Sequence, residues 1–345
     1  MPADAPDARI PERYSRQIRF APIGPEGQRS LARSRVLVLG CGALGCAIAE
    51  QLARAGVGTL RLVDRDFVEV SNLQRQSLFS EDDAARSLPK SVAAASRLRA
   101  IVRDVRIDEH IVDVDASTIS GLIAGCDLAM DGTDNFRTRH LLNEACARAR
   151  VPWVYGACVG AYGCSLAILP GDGPCLRCIQ DELPAAGDSP TCDTAGIIPP
   201  IVQVVAGWQV AEALKILVGA SAQVRRDLWT TDLWSGSFQR LDMARWRDPR
   251  CAVCGTTPTY PLLSAPVDRS TVLCGRDAIQ LRRGAMPDLV AITNRLATRV
   301  EAANEYLVRW SDGPLRATCF KDGRVIVQGT ADPAVARTMC DRWLG

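Results

Sequence analysis

The amino-acid sequence predicts an α/β protein built on a Rossmann-like, doubly wound and mostly parallel sheet. Short apolar runs that suit buried strands alternate with amphipathic stretches that suit helices. The first apolar run, 35–39, ends in a glycine-rich turn that leads directly into a helical pattern. This succession of strand, turn and helix is typical of folds that bind a nucleotide.

The predicted elements follow one another in the order that a parallel sheet requires. Residues 35–39 form a strand, 44–54 a helix and 60–63 a second strand. Farther along, 128–130 and 153–155 are buried strands, each after a helical stretch. Because helices connect successive strands, the sheet is expected to be parallel. Pro199 and Pro200 are expected to open a buried helix that continues to Leu217.

Composition excludes some classes of function. A chain of 345 residues can bury a full α/β core and a small second module. Its 41 basic and 39 acidic side chains give a formal net charge of +2, so no nucleic-acid partner is expected. No window approaches the ~20 apolar residues of a membrane span, and the start of the chain does not resemble a secretory signal. We therefore expect a cytoplasmic protein with no membrane partner.

Three regions are predicted along the chain. Residues 1–258 form the main domain, 259–270 a linker and 271–345 a small C-terminal α/β module. Within the module, the pattern predicts the following elements in order: a strand at 273–281, a helix at 288–299, a strand at 306–310, a hairpin turning at 321–323 and a helix from residue 332. Nothing in the module indicates a chemistry of its own.

Gly40, Gly42 and Gly45 form a G-x-G-x-x-G turn, with Ala43 inside it, between the first strand and the first helix. Glycines let the backbone turn tightly and approach a phosphate, and the helix N-terminus favours the negative charge. Asp64 ends the second strand 19 residues after Gly45 and can bind ribose hydroxyls. Taken alone, this pattern is compatible with NAD, FAD, ATP or S-adenosylmethionine.

Cationic and amide side chains just beyond Asp64 favour a nucleotidyl-transfer site. The segment 70–76 and the pair Pro89-Lys90 supply two cations, Arg75 and Lys90, and three amides. A hydride-transfer site does not need these groups. Arg and Lys can hold a triphosphate and offset the charge that develops at its α-phosphorus. The alternative interpretation is a solvated polar loop.

Asp134 and Asn135 follow the predicted strand 128–130, at the carboxyl edge where doubly wound sheets bind ligands. Asp134 could hold Mg²⁺ through one carboxylate together with ATP phosphates. The alternative is that Asp134 and Asn135 are ordinary caps of the helix that starts near Phe136.

Four of the fourteen cysteines form two C-x-x-C pairs, Cys175 with Cys178 and Cys251 with Cys254. Together they make a set of four thiolates of the kind that binds structural Zn²⁺, with no open position for water. Disulfides seldom persist in a reducing cytosol, which favours metal ligation. The alternative, two unrelated thiol pairs, lacks a thioredoxin-like context.

The remaining cysteines divide into one candidate nucleophile and several core residues. Cys192 lies in a long polar loop shortly before a helix start, where the helix dipole would favour a thiolate. The alternative is a surface cysteine without a role. Cys41, Cys46, Cys146 and Cys158 lie among apolar and small residues and are expected to be inert core residues.

With these motifs assembled, the chain resembles the ThiF/MoeB/HesA family, bacterial relatives of ubiquitin-activating enzymes, over roughly residues 14–255. The motifs occur in the family's order: Tyr14-Ser-Arg16-Gln-Ile, the turn Gly40 to Gly45, Leu62-Val-Asp64-Arg-Asp66, Ser71-Asn-Leu-Gln-Arg75-Gln, Pro89-Lys90, Asp131-Gly-Thr-Asp134-Asn135, both cysteine pairs and Thr191-Cys192. One departure is Ala43, where many members have a second adjacent glycine.

The resemblance implies a homodimer in which Arg16 reaches the partner's ATP. It also implies that Asp64 binds the ribose, that Asn72, Arg75 and Lys90 contact phosphates, and that Asp134 positions Mg²⁺. The full set of implied nucleotide-binding residues is Gly40, Gly42, Ala43, Gly45, Asp64, Asp66, Ser71, Asn72, Leu73, Gln74, Arg75, Lys90, Asp134 and Asn135.

The activity implied by the resemblance is ATP-dependent adenylation of a ubiquitin-like sulfur-carrier protein that ends in Gly-Gly. The carrier's C-terminal carboxylate would attack the α-phosphate and release pyrophosphate. Cys192 could then form an acyl disulfide or thioester with the carrier, or the adenylate could pass directly to a sulfur donor. No appended sulfurtransferase signature is present, so the sulfur would come from a separate cysteine desulfurase or sulfurtransferase.

Other interpretations stay open on the sequence alone. The same adenylating chemistry could act on a peptide or on a tRNA base, although the weak net charge disfavours tRNA. An NAD-dependent enzyme or a non-catalytic scaffold is a further possibility. The region from residue 271 onward lies outside the resemblance, and we expect it only to dock the carrier or the sulfur donor.

Overall fold

A computed structural model describes residues 11–181, 192–266, 270–273, 277–283 and 286–344. The strands within these ranges are β1 (Arg35–Leu39), β2 (Thr59–Asp64), β3 (Arg106–Ile111), β4 (Leu128–Asp131), β5 (Trp153–Val159), β6 (Tyr162–Ile168), β7 (Asp227–Asp232), β8 (Ser237–Asp242), β9 (Ser270–Leu273), β10 (Ala278–Arg282), β11 (Val300–Ala303), β12 (Leu307–Asp312), β13 (Leu315–Phe320) and β14 (Arg324–Gln328). The helices are α1 (Gly24–Arg33), α2 (Ala43–Arg54), α3 (Glu81–Ala85), α4 (Lys90–Ile101), α5 (Ile119–Ile123), α6 (Phe136–Ala149), α7 (Leu176–Ile179), α8 (Cys192–Ala195), α9 (Pro199–Leu217), α10 (Leu289–Leu296) and α11 (Pro333–Leu344).

The larger sheet has eight strands in the order β3-β2-β1-β4-β5-β6-β7-β8. Strands β3 to β5 pair in parallel, whereas β6, β7 and β8 extend the sheet with antiparallel pairings. The 3-2-1-4-5 order of the parallel part is the doubly wound arrangement. The predicted α/β class with a mostly parallel sheet is confirmed, and the antiparallel extension was not predicted.

Strand β1 lies at the centre of this sheet and contributes to both hydrophobic layers. Val36 and Val38 belong to the layer that contains α2, α4 and α9, whereas Leu37 and Leu39 belong to the layer formed with α5 and α6. All four side chains are almost completely buried, as alternation along a strand requires when both faces are covered. Helix α9 begins at Pro199 and ends at Leu217, as predicted.

Three glycines make the turn after β1 possible. Gly40 has a φ of +89°, and a Cβ atom on it would lie 2.6 Å from the carbonyl oxygen of Gly132. A Cβ atom on Gly45 would lie 1.8 Å from the carbonyl oxygen of Gly40. A Cβ atom on Gly132 would lie 2.7 Å from the same oxygen. The end of β1, the start of α2 and the loop after β4 therefore meet at a distance that only glycine permits.

The smaller sheet has six strands in the order β11-β12-β13-β14-β10-β9, all of them antiparallel to their neighbours. Its core surrounds the fully buried Trp310 and includes side chains from α10 and α11. The expected single strand at 273–281 was wrong, because β9 and β10 form two antiparallel strands. Asp277, just before β10, has a φ of 40°, a left-handed conformation that turns the chain. The division into domains at residues 258 and 271 stays a prediction.

No helix in the described ranges is both long enough and apolar enough to cross a bilayer.

Gly45→Ala is expected to lower the free energy of unfolding by about 3 kcal/mol or more, because the added methyl group would collide with the backbone at Gly40. Gly121→Ala is the control. Gly121 is exposed within α5 with no atom near the new methyl group, so this variant should be unchanged or stabilised by less than ~1 kcal/mol. Urea denaturation of both variants would measure the difference, and equal stabilities would contradict the packing described for the turn.

Candidate functional site

A cleft opens at the carboxyl edge of the larger sheet, where β1 lies between β2 and β4. The connection that follows β1 leads to β2 on one side, and the connection that follows β3 leads to β4 on the other side. Doubly wound sheets bind ligands at the point where the strand order changes direction in this way. The cleft is lined by the turns after β1, β2 and β4 and by the start of α4. The predicted residues that it brings together are Gly40, Gly42, Ala43, Asp64, Asp66, Asn72, Arg75, Lys90, Asp134 and Asn135.

The N-terminus of α2 faces the cleft. Gly42 is the N-cap and supplies no side-chain hydrogen bond, while Gly42, Ala43 and Leu44 all line the opening. The first backbone N–H groups of a helix have no partner within the helix and carry the positive end of its dipole. This end of the cleft is therefore built to receive a negatively charged group such as a phosphate.

Asp64 is fixed at the end of β2 by two backbone N–H groups. Cys41 donates to its Oδ2 atom at 2.6 Å, and Asp66 donates to its Oδ1 atom at 2.7 Å. Burial raises the pKa of this carboxyl group, and the ammonium group of Lys90 acts in the opposite direction. The backbone bonds leave the carboxylate in one orientation on the wall of the cleft.

Lys90 and Arg75 provide the predicted positive charges. Lys90 is buried at the start of α4, with its Nζ atom 3.6 Å from Oδ2 of Asp66. Arg75 donates from a guanidinium nitrogen to the carbonyl oxygen of Ser71 at 2.9 Å. Asn72 is buried, and its Oδ1 atom accepts a hydrogen bond from the backbone of Glu69 at 3.2 Å. The loop backbone holds Arg75 and Asn72, and the carboxylate of Asp66 holds Lys90, so both cations are placed before any ligand binds.

The loop after β4 is held by a buried ion pair that the sequence analysis missed. Arg139 places its Nε atom 3.0 Å from Oδ2 of Asp131, and both side chains are buried. Thr133 donates to Oδ1 of Asp131 from its backbone at 2.9 Å and from its hydroxyl at 2.7 Å. Burial raises the pKa of Asp131, against the effect of Arg139. The pair shapes the loop that carries Asp134 into the cleft.

The two residues predicted after β4 have different environments. Asn135 is the N-cap of α6, and its Oδ1 atom accepts a hydrogen bond from Thr138 at 3.1 Å. The capping interpretation therefore holds for this side chain, although Asn135 also lines the cleft. Asp134 is exposed on the lining and is not the N-cap residue of α6.

Arg65 and Asp113 also line the cleft and were not predicted. Their side chains form an ion pair, with 3.1 Å between a guanidinium nitrogen of Arg65 and Oδ1 of Asp113. Arg65 stands between two residues of the quoted Asp64-Arg-Asp66 motif, which is the signal that could have identified it. Asp113 follows β3, an edge strand that was not predicted, so no local pattern placed it here.

Several predicted residues lie outside the lining. Gly45 packs beneath the turn, and Leu73 packs on the hydrophobic core. Ser71 and Arg16 are exposed. Gln74 donates to the carbonyl oxygen of Ile197 at 3.4 Å. Cys192 begins α8, and its side chain and Thr191 lie outside the described part of the structure. Cys41, Cys46 and Cys146 are buried as expected, and Cys158 packs against the hydrophobic core and also lines the cleft.

The two C-x-x-C pairs converge. Their four Sγ atoms all lie within 4.8 Å of one another, with 3.6 Å between Cys175 and Cys251 and 3.3 Å between Cys178 and Cys254. A tetrahedral zinc ion with Zn–S bonds of ~2.3 Å needs sulfur separations of about 3.8 Å. The backbone N–H groups of Asp248 and Val253 donate to Cys178 and Cys251, as they would to thiolates. The cluster is compatible with a closed Zn²⁺ site.

Fold, cleft and cysteine cluster together define an α/β protein with a cleft of the kind that binds nucleotides and a four-cysteine cluster compatible with Zn²⁺. The ThiF family model matches residues 14–253 of the chain. This protein therefore belongs to the ThiF family, which confirms the resemblance seen in the motifs.

Two relatives with named functions match 70% or more of this chain. The sulfur carrier protein ThiS adenylyltransferase of Bacillus subtilis is 43% identical over 338 residues, which cover 96% of this chain and 99% of that protein. The match therefore extends over most of the C-terminal strands and helices. The molybdopterin-synthase adenylyltransferase of Escherichia coli is 38% identical over 244 residues, covering 70% of this chain and 96% of that protein.

Solved structures support the fold. The crystal structure of E. coli MccB with ATP superposes with a TM-score of 0.60 at 23% identity, covering 71% of this chain and 75% of that one. A second crystal structure of E. coli MccB gives a TM-score of 0.62 over 72% of this chain and 73% of that one, again at 23% identity. At this identity the likeness shows a shared fold.

Cys254→Ser is expected to abolish stoichiometric zinc binding and to lower the free energy of unfolding by about 3 kcal/mol or more, because the tetrahedral set of thiolates is broken. Cys126→Ser is the matched control, since Cys126 lies near Arg61 and the carbonyl of Leu122, away from the cluster. Elemental analysis should find about one zinc per chain in the wild type and the control. Equal zinc contents in both variants would refute a zinc site at these cysteines.

Proposed function

We propose that this protein is an ATP-dependent adenylyltransferase that joins AMP to the C-terminal glycine carboxylate of a ubiquitin-like sulfur-carrier protein. The observation that carries the proposal is the cleft, in which the N-terminus of α2, the carboxylate of Asp64 and the cations of Arg75 and Lys90 face one space. The names of the B. subtilis and E. coli relatives, both adenylyltransferases, support the same assignment.

ATP is the substrate that uses all of these groups. The N–H groups at the start of α2 would bind phosphate oxygens, and Asp64 would accept hydrogen bonds from the ribose. Arg75 and Lys90 would contact the phosphates, with Asn72 beside them. Asp134, exposed on the lining, would hold Mg²⁺, which supplies positive charge to the triphosphate. The two cations could also bind the pyrophosphate of NAD, but hydride transfer develops no charge at phosphorus for them to stabilise.

The reaction requires mainly positioning and charge neutralisation. A carboxylate oxygen of the carrier's last glycine attacks the α-phosphorus of ATP, and the bond from that phosphorus to the bridging oxygen of pyrophosphate breaks. The products are a carrier acyl adenylate and pyrophosphate. Arg75 and Lys90 offset the charge that develops during this exchange, and the carbonyl of Ser71 and the carboxylate of Asp66 hold them in place beforehand. No proton transfer is needed when the carboxylate enters ionised.

Arg16 is proposed to act in the partner's cleft of a homodimer. It is exposed and does not line its own cleft. Its neighbours are anchored: the hydroxyl of Tyr14 donates to Asp104 at 3.1 Å, and Gln17 donates to the carbonyl oxygen of Ala55 at 2.8 Å. A cation that projects from a fixed turn is well suited to reach a second chain.

An exposed apolar patch near the cleft is proposed to receive the carrier. The patch consists of Trp234 and Phe238 at the hairpin between β7 and β8, of which Trp234 is 85% exposed. The turn bearing Trp234 follows β7 at the edge of the sheet where Cys158 of β5 lines the cleft. Strands β5 and β7 are two spacings apart, or ~10 Å, a span that an extended C-terminal tail of a few residues crosses. Apolar patches of this kind mark protein interfaces.

Sulfur transfer after adenylation remains a proposal based on the chain's position in the family. Cys192 would receive the carrier's acyl group or a persulfide sulfur, and a separate cysteine desulfurase or sulfurtransferase would supply the sulfur. If Cys192 has this role, Cys192→Ala retains adenylate formation and loses thiocarboxylate formation.

Carrier-dependent exchange of labelled pyrophosphate into ATP tests the adenylation step. Arg75→Gln should lower the rate about 100-fold, because it removes charge stabilisation at the reacting phosphate. Arg54→Gln makes the same charge change on the surface of α2, where Arg54 pairs with Glu50, and should leave the rate unchanged. A full rate in Arg75→Gln would contradict the assigned site, and no exchange with any carrier from the source organism would overturn the proposed function.

Trp234→Ala should raise the KM for the carrier about tenfold while leaving the KM for ATP unchanged, because the patch contacts only the carrier. Met286→Ala removes an apolar side chain of similar exposure, 83%, on the C-terminal module and should change neither value. Steady-state exchange kinetics measure both constants. A raised carrier KM in Met286→Ala alone would instead place the carrier on the module, which is one of the two docking roles expected from the sequence.

A further inference from the structure

The C-terminal module contacts the wall of the nucleotide cleft through two side chains of β10. Gln280 donates to Oδ2 of Asp113 at 2.6 Å. Arg282 donates to the same oxygen at 2.8 Å and to the backbone carbonyl of Asp113 at 3.0 Å, and its other terminal nitrogen lies 2.7 Å from Asp115. Asp113 lines the cleft, so a residue of the proposed ATP site has three of its hydrogen bonds supplied by the module.

The two carboxylate oxygens of Asp113 have different partners, one in the module and one on Arg65. Its Oδ1 atom pairs with Arg65 at 3.1 Å, while its Oδ2 atom receives the bonds from β10. Arg65 lines the cleft next to Asp64. Although burial opposes ionisation, Arg65, Arg282 and Gln280 together lower the pKa of Asp113, so this carboxylate is charged at neutral pH.

The module also holds the backbone of the same segment. Arg324, only 2% exposed, donates to the carbonyl oxygen of Arg65 at 3.1 Å. The guanidinium group of Arg309 lies 4.0 Å from the ring centre of Phe67. The carbonyl of Asp66, between these two residues, accepts the N–H of Lys90 at 2.9 Å. The strip from Arg65 to Phe67 therefore lies between the module and the start of α4, which carries a proposed phosphate-binding lysine.

The hydrogen bond from Gln280 to Asp113 is not explained by folding stability alone. The side chain is 3% exposed, and among the described residues its Oε1 atom has no hydrogen-bond partner. An orphaned buried oxygen costs free energy that an apolar side chain of similar shape would avoid. What Gln280 supplies in return is the hydrogen bond from its Nε2 atom to Asp113.

We infer that Gln280 and Arg282 are positioning residues for ATP, acting through Asp113 and Arg65, and that docking of the module and binding of ATP are thermodynamically linked. This inference rests on the proposed function, because it assigns a role at the same cleft. Without the two β10 side chains, Asp113 keeps one cation and loses its fixed position, and Arg65 loses the orientation that Asp113 gives it. By linkage, ATP must stabilise module docking by the same factor by which docking favours ATP.

The test measures the Kd for ATP and the kinetics of carrier-dependent pyrophosphate exchange in full-length variants. Arg282→Gln should raise the Kd and the KM for ATP about tenfold, since it removes charge-assisted hydrogen bonds to Asp113, while kcat stays within about twofold. Gln280→Met should raise both constants about threefold, and Arg282→Lys should restore part of the loss. Arg316→Gln is the control, because Arg316 pairs with Glu301 inside the module and should leave both constants unchanged.

Thermal unfolding separates positioning from simple loss of folding. The upward shift of Tm produced by saturating ATP at a fixed concentration should be smaller in Arg282→Gln than in Arg316→Gln. An unchanged Kd for ATP in a folded Arg282→Gln, or a loss confined to kcat, would overturn the inference and leave the proposed function intact. Absence of ATP binding in the wild type would overturn the proposed function and this inference with it.

Discussion

The backbone contact among Gly40, Gly45 and Gly132 fixes the geometry on which the cleft depends. It brings the end of β1, the start of α2 and the loop after β4 closer together than any side chain would allow. The N-terminus of α2 and the loop carrying Asp134 consequently open into one space. Sheet topology adds the second requirement, because the crevice exists only where β1 has parallel neighbours on both sides.

Three of the cations around the cleft pair with carboxylates before any substrate binds. Lys90 lies beside Asp66, Arg65 pairs with Asp113, and Arg139 pairs with the buried Asp131. Each carboxylate holds a cation in a set orientation, which reduces the reorganisation needed when a triphosphate arrives. The wall formed by Arg65 and Asp113 depends in turn on the C-terminal module. A module that the sequence suggested only as a docking unit is thus part of the environment of the cleft.

Local sequence patterns predicted the features that local chemistry determines. The strand, glycine turn and helix around Gly40, the carboxylate of Asp64 and the helix from Pro199 to Leu217 all follow from short-range periodicity and turn chemistry. The cysteine cluster was also predictable, because the C-x-x-C spacing itself indicates how each pair can ligate a metal.

The features that the sequence did not predict depend on contacts between distant parts of the chain. Arg139 resembles an ordinary helix-surface cation until the fold buries it against Asp131. Asp113 gains its position from an edge strand and from β10, whose side chains are far away in sequence. The sequence pattern predicts one strand over the segment that contains β9 and β10, because periodicity does not report the change of chain direction that their antiparallel pairing shows.

The cleft is proposed to bind ATP so that a protein carboxylate can be joined to AMP. The most direct test is intact-mass analysis of a Gly-Gly-ending carrier after incubation with the enzyme, ATP and Mg²⁺, with pyrophosphatase present to prevent reversal. We predict a carrier heavier by one adenylyl group, with the label retained when the α-phosphate of ATP is labelled. A carrier of unchanged mass in the presence of saturating ATP would contradict this function.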